Sequence, residues 1–512
     1  MSDIILSTIN ARYIHASLGL RYLHANMIDE LKPRTQILEF TLAQRVDDIV
    51  EAIVNQQPSI VGFGVYIWNT IETTEAVRML RLVAPNIKII VGGPEISHET
   101  TSQELYKIAD HTITGQADLA FSDACQQLLA GNTPPKLISA LPFKLEELQY
   151  PYSLYNDEDL RNRVLYVEAS RGCPFKCEFC LSSLDKTAVA FNLEAFLHQL
   201  EQLIDRGARH FKFVDRTFNL KIDTSKRILE FFLSKINGSP DDGAARELFL
   251  HFELIPDRLP EAIKELLPRF PKGCLQFEIG IQSFNPQVQK LISRKQQHDK
   301  TCANLQWLRQ HTHAHIHADL IFGLPSETLE SFGSGFNQLY ALGPQEIQVG
   351  ILKRLRGTPL TRHTVEYDMR YMNTPPYRIL CNRHVDFACV QRMIRFARYW
   401  DLIGNSGRFP NTLPVLLGNT PFERFLQTSD WIFDETTQTH KIALPRLFTL
   451  IHKLLIRELN VDTEQATTIL ELDFQHNRLK GKPTFHHTLQ PKGFKQNSNA
   501  AQRQSRHIAT TG

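Results

Sequence analysis

The chain has 512 residues, 42% of them hydrophobic and 22% charged, with 25 glycines, 26 prolines and a formal net charge of +2. That composition excludes a collagen-like, wholly disordered or disulfide-stapled chain, and the length predicts about three domains. No apolar run reaches the roughly 18 residues that cross a bilayer. The opening Met1-Ser2-Asp3-Ile4-Ile5-Leu6-Ser7 has no basic segment before its apolar stretch, so no secretion leader is expected and the cytoplasm is the expected compartment.

Residues 1–135 alternate strand-like runs (Ile4–Thr8, Gln36–Phe40, Ile60–Val65, Ile87–Val91, His111–Thr114) with helical stretches such as Asp47–Gln56 and Thr70–Val83. The alternation predicts an α/β domain, a doubly wound parallel sheet of flavodoxin-like type. Ligands of such sheets sit beyond the carboxyl ends of the strands. Those ends carry Asn10–Leu18, Gly64–Asn69, Gly92-Gly93-Pro94-Glu95 and Gly115-Gln116-Ala117-Asp118. Glycine there lets backbone approach a large flat ligand, although a tight turn explains an isolated Gly-Gly-Pro more often than not. Residues 136–160 read as a linker.

Over 161–360, a short strand at Val164–Glu168 leads into Arg171-Gly172-Cys173-Pro174-Phe175-Lys176-Cys177-Glu178-Phe179-Cys180. A helix near Asn192–Asp205 follows, then strands at His210–Asp215, Glu247–Glu253, Cys274–Gly280, Ala314–Ile321 and Glu346–Leu352. Six β-then-α units predict a partial (β/α)6 TIM-type barrel, with the cysteine loop at the ligand-binding end of its first strand. Three closely spaced cysteines in a cytosolic chain point to metal or redox chemistry. Thiolates suit zinc or iron–sulfur centres, but a closed zinc site needs four protein ligands and no fourth lies nearby. A four-iron cubane held by three thiolates keeps one iron open. Three small buried cysteines are the plainer alternative.

Residues 361–480 read as mainly helical, with Phe387–Leu402 and Ala443–Leu459 the clearest segments and Gly404–Gly418 a loop. After Asp473 no acidic residue occurs, while seven basic ones do. The tail 481–512 is polar and basic and is expected to be mobile, with nucleic acid only weakly indicated. His311, His313, His315 and His317 alternate along the start of the fifth strand, and Cys381, His384 and Cys389 fit no zinc spacing, so neither group is expected to bind metal. Cys125, Cys274 and Cys302 read as core residues.

The Cys-x3-Cys-x2-Cys array, with Phe179 before the last cysteine, resembles the signature of the radical S-adenosylmethionine (SAM) superfamily. The resemblance implies a [4Fe-4S] cluster on Cys173, Cys177 and Cys180, with SAM chelated at the open iron. One electron, from a flavodoxin or ferredoxin type donor, then cleaves SAM to methionine and a 5′-deoxyadenosyl radical. It also implies SAM contacts from Asp215 and Asn219 (in place of a missing Gly-Gly-Glu segment), Glu253, Glu278, Gln282, Arg294, Ile321 and Gly323. Glu278-Ile279-Gly280-Ile281-Gln282-Ser283 and Asp319-Leu320-Ile321-Phe322-Gly323-Leu324-Pro325 are similar to stretches of coproporphyrinogen-dehydrogenase-like members.

Directly ahead of such a core, the N-terminal unit resembles the cobalamin-binding domain of cobalamin-dependent radical SAM enzymes. This implies cobalamin near Asn10, His15, Ser17, Gly64, Trp68, Asn69, Gly92, Gly93, Pro94 and Gly115. The Asp-x-His-x-x-Gly motif that supplies an axial histidine elsewhere is absent, and the context of His15 does not match it. The implied reaction is methyl transfer to an unactivated carbon, with cyclisation or rearrangement as the alternative. A cobalamin- or redox-sensing iron–sulfur protein is the alternative from another class.

Overall fold

Ile4, Ile5, Leu6 and Ile9 are fully buried, because the strand that carries them, β1 (Ile4–Asn10), runs between two neighbours and beneath helices on both faces. The computed structural model describes residues 3–237, 247–477, 479, 503, 504, 506 and 507. The N-terminal sheet comprises β1, β2 (Thr35–Thr41), β3 (Ile60–Gly64), β4 (Lys88–Gly92), β5 (His111–Thr114) and β6 (Leu137–Ser139). All pairs are parallel, in the order β2-β1-β3-β4-β5-β6. The order reverses at β1/β3, where loops from adjacent strands diverge and leave a crevice. Five strands lie where the sequence puts them; β6 extends the sheet past residue 135 into the expected linker.

The core follows as β7 (Leu165–Val167), a short antiparallel ribbon of β8 (Ser170–Arg171) and β9 (Val189–Ala190), then β10 (His210–Phe213), β11 (Phe249–Leu254), β12 (Leu275–Gln282), β13 (His315–Phe322) and β14 (Glu346–Ile351). Apart from the ribbon these make one parallel sheet in sequential order, β7 to β14, as a six-stranded open barrel requires. Strand alternation separates two environments. On β13, Ile316, Ala318, Leu320 and Phe322 are buried, while His315, His317 and Asp319 share the opposite, concave face. Of the four alternating histidines, His315 and His317 are thus lumen residues, while His311 ends helix His298–His311 and His313 is exposed ahead of the strand; His315 bonds Glu346 at 3.0 Å.

A two-stranded hairpin, β15 (Arg370–Tyr371) with β16 (Ile379–Cys381), precedes the helices Phe387–Ile403, Pro421–Thr436, Leu444–Arg457 and Thr463–His476. They dock on the barrel through aromatic contacts: Phe336 of helix Leu329–Ala341 meets Trp400 at 4.9 Å and Phe396 at 5.3 Å between ring centres. The expected loop 404–418 contains a short helix, Thr412–Leu417. No helix of the described residues is long and apolar enough to cross a membrane.

Most of the tail 481–512 lies outside the described residues, but the four that are described do not fit a mobile end. Gln504 is buried and donates to Leu275 O at 3.1 Å, and Arg503 pairs with Asp401 at 2.8 Å and Glu346 at 3.4 Å. They rest against the amino-terminal ends of β12 and β14, because Asp401 and Glu346 need a cation where the lumen closes.

Candidate functional site

The carboxyl end of β7 feeds the cysteine loop through Gly172. Its φ is +89°, and a Cβ there would lie 2.3 Å from Thr187 O, so the turn needs glycine. The loop closes on itself through Cys173 N to Asp185 O (3.1 Å) and Cys180 N to Cys177 O (3.2 Å). Cys173, Cys177 and Cys180 line one side of a cavity of about 170 Å³, with Phe175 and Phe179 beside them. Burial pushes the Cys173 and Cys177 thiols up, and at Cys177 the Arg294 guanidinium, 3.5 Å from Sγ, opposes the rise.

Strand ends of the barrel complete this cavity with Arg216, Glu253, Glu278, Gln282, Arg294 and Asp319. Glu253 pairs with Arg216 at 2.8 Å. Glu278 takes bonds from Lys212 (3.1 Å) and His251 (3.0 Å). Burial lowers His251 to about 4, so it faces Glu278 as a neutral ring; burial opposes ionisation of Glu278, but its His251 and Lys212 partners hold it well below the usual carboxylate range. Burial and the neighbouring Glu278 and Glu253 charges push the Asp319 carboxyl well above the usual carboxylate range. Two buried oxygens at this wall, Gln282 Oε1 and Asp319 Oδ1, have no hydrogen-bond partner, with His317 Nε2 standing 3.8 Å from Asp319 Oδ1. Such orphans suit a polar ligand. Among the described residues no three metal-binding side chains converge on a single ion, and three thiols on separate corners of a cubane need no such convergence.

Of the SAM residues implied by resemblance, Glu253, Glu278, Gln282 and Arg294 reach this cavity and four do not. Asp215 accepts from Ala169 N (2.9 Å) and Ser170 Oγ (2.5 Å), and burial raises its carboxyl to about 7. Asn219 is tied to Ile255 N (2.7 Å) and Ile255 O (2.9 Å). Both brace loop backbone, as a buried polar strand-end residue must when no solvent reaches it. Ile321 does not line the cavity, and Gly323 faces the hairpin, where a Cβ would meet Ile379 at 2.9 Å. Sequence reasoning missed Arg216 and Asp319, although each stands inside a segment singled out from the sequence.

A second cavity, about 400 Å³, lies over the carboxyl ends of β3, β4 and β5. Its floor is Gly64, Gly92, Gly93 and Gly115, with Leu18, Tyr66 and Phe121 among the apolar walls; Glu168, Arg171 and Val214 of the core close its far side. At Gly64 and Gly92 the protein has room for a Cβ (nearest atoms 3.5 and 3.4 Å) and φ is not positive. Packing therefore does not demand glycine there; what its absence of a side chain leaves is a bare floor for a broad ligand. Gly93 differs, since a Cβ would strike Val65 O at 2.6 Å.

Asn10, His15, Ser17, Trp68, Asn69 and Pro94 are not part of this lining. Asn10 donates to Glu39 (3.0 Å), Ser17 caps helix Leu18–Ala25, and Asn69 bonds Thr8, Ile9 and Gly64 at 3.1 Å. His15 Nδ1 meets Tyr166 OH at 2.7 Å, at the seam with the barrel. Trp68 stacks on Tyr66 at 4.5 Å. Asn10, Ser17 and Asn69 thus hold the strand-end loops.

Residues 5–124 match the B12 binding domain, residues 167–335 the radical SAM superfamily, and residues 365–511 a protein family of unknown function (DUF4080). The cobalamin-dependent radical SAM methyltransferase TokK from Streptomyces tokunonensis is 23% identical over 378 residues, covering 67% of this chain and 53% of TokK. This chain thus spans about half the length of that relative. The uncharacterized methyltransferase PH0819 from Pyrococcus horikoshii is 24% identical over 379 residues, 68% of this chain and 78% of its own. The structure of the radical SAM methyltransferase TsrM from Kitasatospora setae, with cobalamin and a [4Fe-4S] cluster bound, superposes with a TM-score of 0.57 at 15% identity, covering 84% of this chain and 99% of that one. The chain thus carries a B12 binding domain ahead of a radical SAM domain, and the cofactors of these two domains are cobalamin, a [4Fe-4S] cluster and SAM.

Proposed function

We propose that this chain is a methyltransferase acting on an unactivated carbon. Cys173, Cys177 and Cys180 hold the cluster, Glu253, Glu278, Gln282 and Arg294 bind SAM, and the floor of Gly64, Gly92, Gly93 and Gly115 takes the corrin. The observation that carries this reading is the meeting of the two cavities at one short segment: Glu168 and Arg171 line the glycine-floored cavity, and Cys173 lines the other. When bound, the cluster supplies the electron that cleaves SAM and the corrin supplies the methyl group for transfer.

The chain's own residues bind, orient and exclude water. Arg294 offers a guanidinium for a carboxylate, and the orphaned Gln282 Oε1 offers an acceptor. Asp319, whose carboxyl burial pushes up, donates a hydrogen bond when protonated and accepts one otherwise. Phe175 and Phe179 shield the cysteine side from solvent. A reductant and a substrate are required; a cytoplasmic flavodoxin or ferredoxin is the proposed donor.

Anaerobic incubation of the reconstituted protein with reductant, cobalamin and methyl-labelled SAM tests the reading without knowledge of the substrate. Methyl transfer predicts label in the recovered corrin. Corrin bound but never labelled would favour cyclisation or rearrangement instead.

A further inference from the structure

The region that matches a family of unknown function begins just after a segment that grips both cavities. At one end, Arg356 Nε donates to Glu95 Oε1 at 2.9 Å and Tyr377 OH donates to the same oxygen at 2.7 Å; Arg356 Nη2 also reaches Tyr377 OH at 2.8 Å. Arg354 and Arg356 hold Glu99 at 2.9 and 2.7 Å. Glu95 is 4% exposed and Tyr377 2%, so this is a desolvated anchor rather than a surface pair. It sits directly after Gly92 and Gly93, the floor of the larger cavity.

At the other end, Leu360 N donates to Glu178 O at 3.1 Å, and His363 Nε2 meets Glu178 Oε2 at 2.9 Å, with Arg362 on Glu178 Oε1. Glu178 lies between Cys177 and Cys180, and Ser293 Oγ donates to it from the segment that carries Arg294. Only three residues separate Arg356 from Leu360, and four residue steps reach at most roughly 14 Å. The two grips therefore cannot move apart independently.

We infer that residues 354–377 form a strap that sets the separation of the corrin-facing loop and the cysteine loop, with Glu95 and Glu178 as positioning residues. The inference rests on the cavity assignments above. It gives the start of the region of unknown function a structural role, that of registering one cofactor against the other. Coupling two cofactors depends on their separation, and a pair of carboxylates held by one short segment fixes it more tightly than contacts between separately folded domains would.

The test uses the full chain, anaerobically reconstituted, carrying E95Q with Y377F, or E178Q, and R392Q as a control that breaks the Arg392–Asp430 pair (2.6 Å) elsewhere in the C-terminal helices. Hydroxocobalamin affinity is read by absorbance titration, and magnetic coupling between cob(II)alamin and the reduced cluster by EPR. The strap predicts roughly tenfold weaker corrin binding in E95Q/Y377F at unchanged iron and sulfide content, altered coupling in E95Q/Y377F and E178Q, and wild-type behaviour in R392Q. Wild-type affinity and coupling in E95Q/Y377F, or an equal loss in R392Q, would overturn the strap. A wild-type protein that takes up no corrin would overturn the cavity assignment itself, which is a separate and distinguishable result.

Discussion

Arg171 Nη2 lies 3.0 Å from Asp118 Oδ1, so a side chain two residues ahead of Cys173 is fastened to the loop that follows β5 of the N-terminal sheet. The same guanidinium holds Glu168 at 2.9 Å and sits 4.5 Å over the Tyr22 ring. Burial opposes its charge, but Glu168 and Asp118 more than compensate, so it stays cationic. Arg171→Met would leave two acidic groups without their cation; removing one partner of a buried pair costs about 3–5 kcal/mol. A fall in the urea midpoint, with loss of corrin uptake, is the expected outcome, and Arg171→Lys should recover part of both.

Substituting alanine at Cys173, Cys177 or Cys180 removes a proposed cluster ligand. Each variant should lose most of its iron and sulfide after anaerobic reconstitution and form no 5′-deoxyadenosine. Cys125→Ala, at a buried thiol in the N-terminal core, should retain both.

Gly64→Val tests the bare floor. The protein leaves 3.5 Å around a Cβ at this position, so the fold should survive with a stability change of about 1 kcal/mol. A side chain added to this floor should weaken hydroxocobalamin binding at least tenfold, measured by absorbance titration.

Glu327 gives a pH dependence. Burial raises its carboxyl to about 8, and its Ser283 hydrogen bond only partly opposes this. Above the unfolded value of about 4.3 the unfolded chain releases the proton while the folded chain keeps it. Its contribution is therefore complete below that value and is lost as pH rises through about 8. Between pH 5.5 and 8.5 the wild type should lose a few kcal/mol that Glu327→Gln does not, read from denaturant midpoints.

Removing residues 503–512 should lower the thermal midpoint by several degrees, since a buried Gln504 and the Arg503 pairs with Asp401 and Glu346 go with them. A freely moving tail would leave the midpoint unchanged.

The elements with a strong period, and the chemistry with a fixed spacing, were legible in the sequence. The cysteine triad and the glycine loops are local, and both lie where strand ends gather ligands. Asp215 and Asn219 bond the loops beside the cavity rather than line it, because a polar residue at a buried strand end serves backbone as readily as a ligand. β6 has only three residues, too few to show alternation. The composition of the whole tail concealed the few residues that dock. Glu95 and Tyr377 stand 282 positions apart, and Glu178 and His363 185; no local pattern joins them, and only the folded chain does.

The central claim is that Cys173, Cys177 and Cys180 hold a cluster able to cleave SAM reductively. Anaerobic reconstitution followed by SAM and dithionite, with 5′-deoxyadenosine quantified, addresses it most directly. The account predicts nucleoside formation that disappears in Cys173→Ala; a fully loaded wild-type protein that forms none would contradict it.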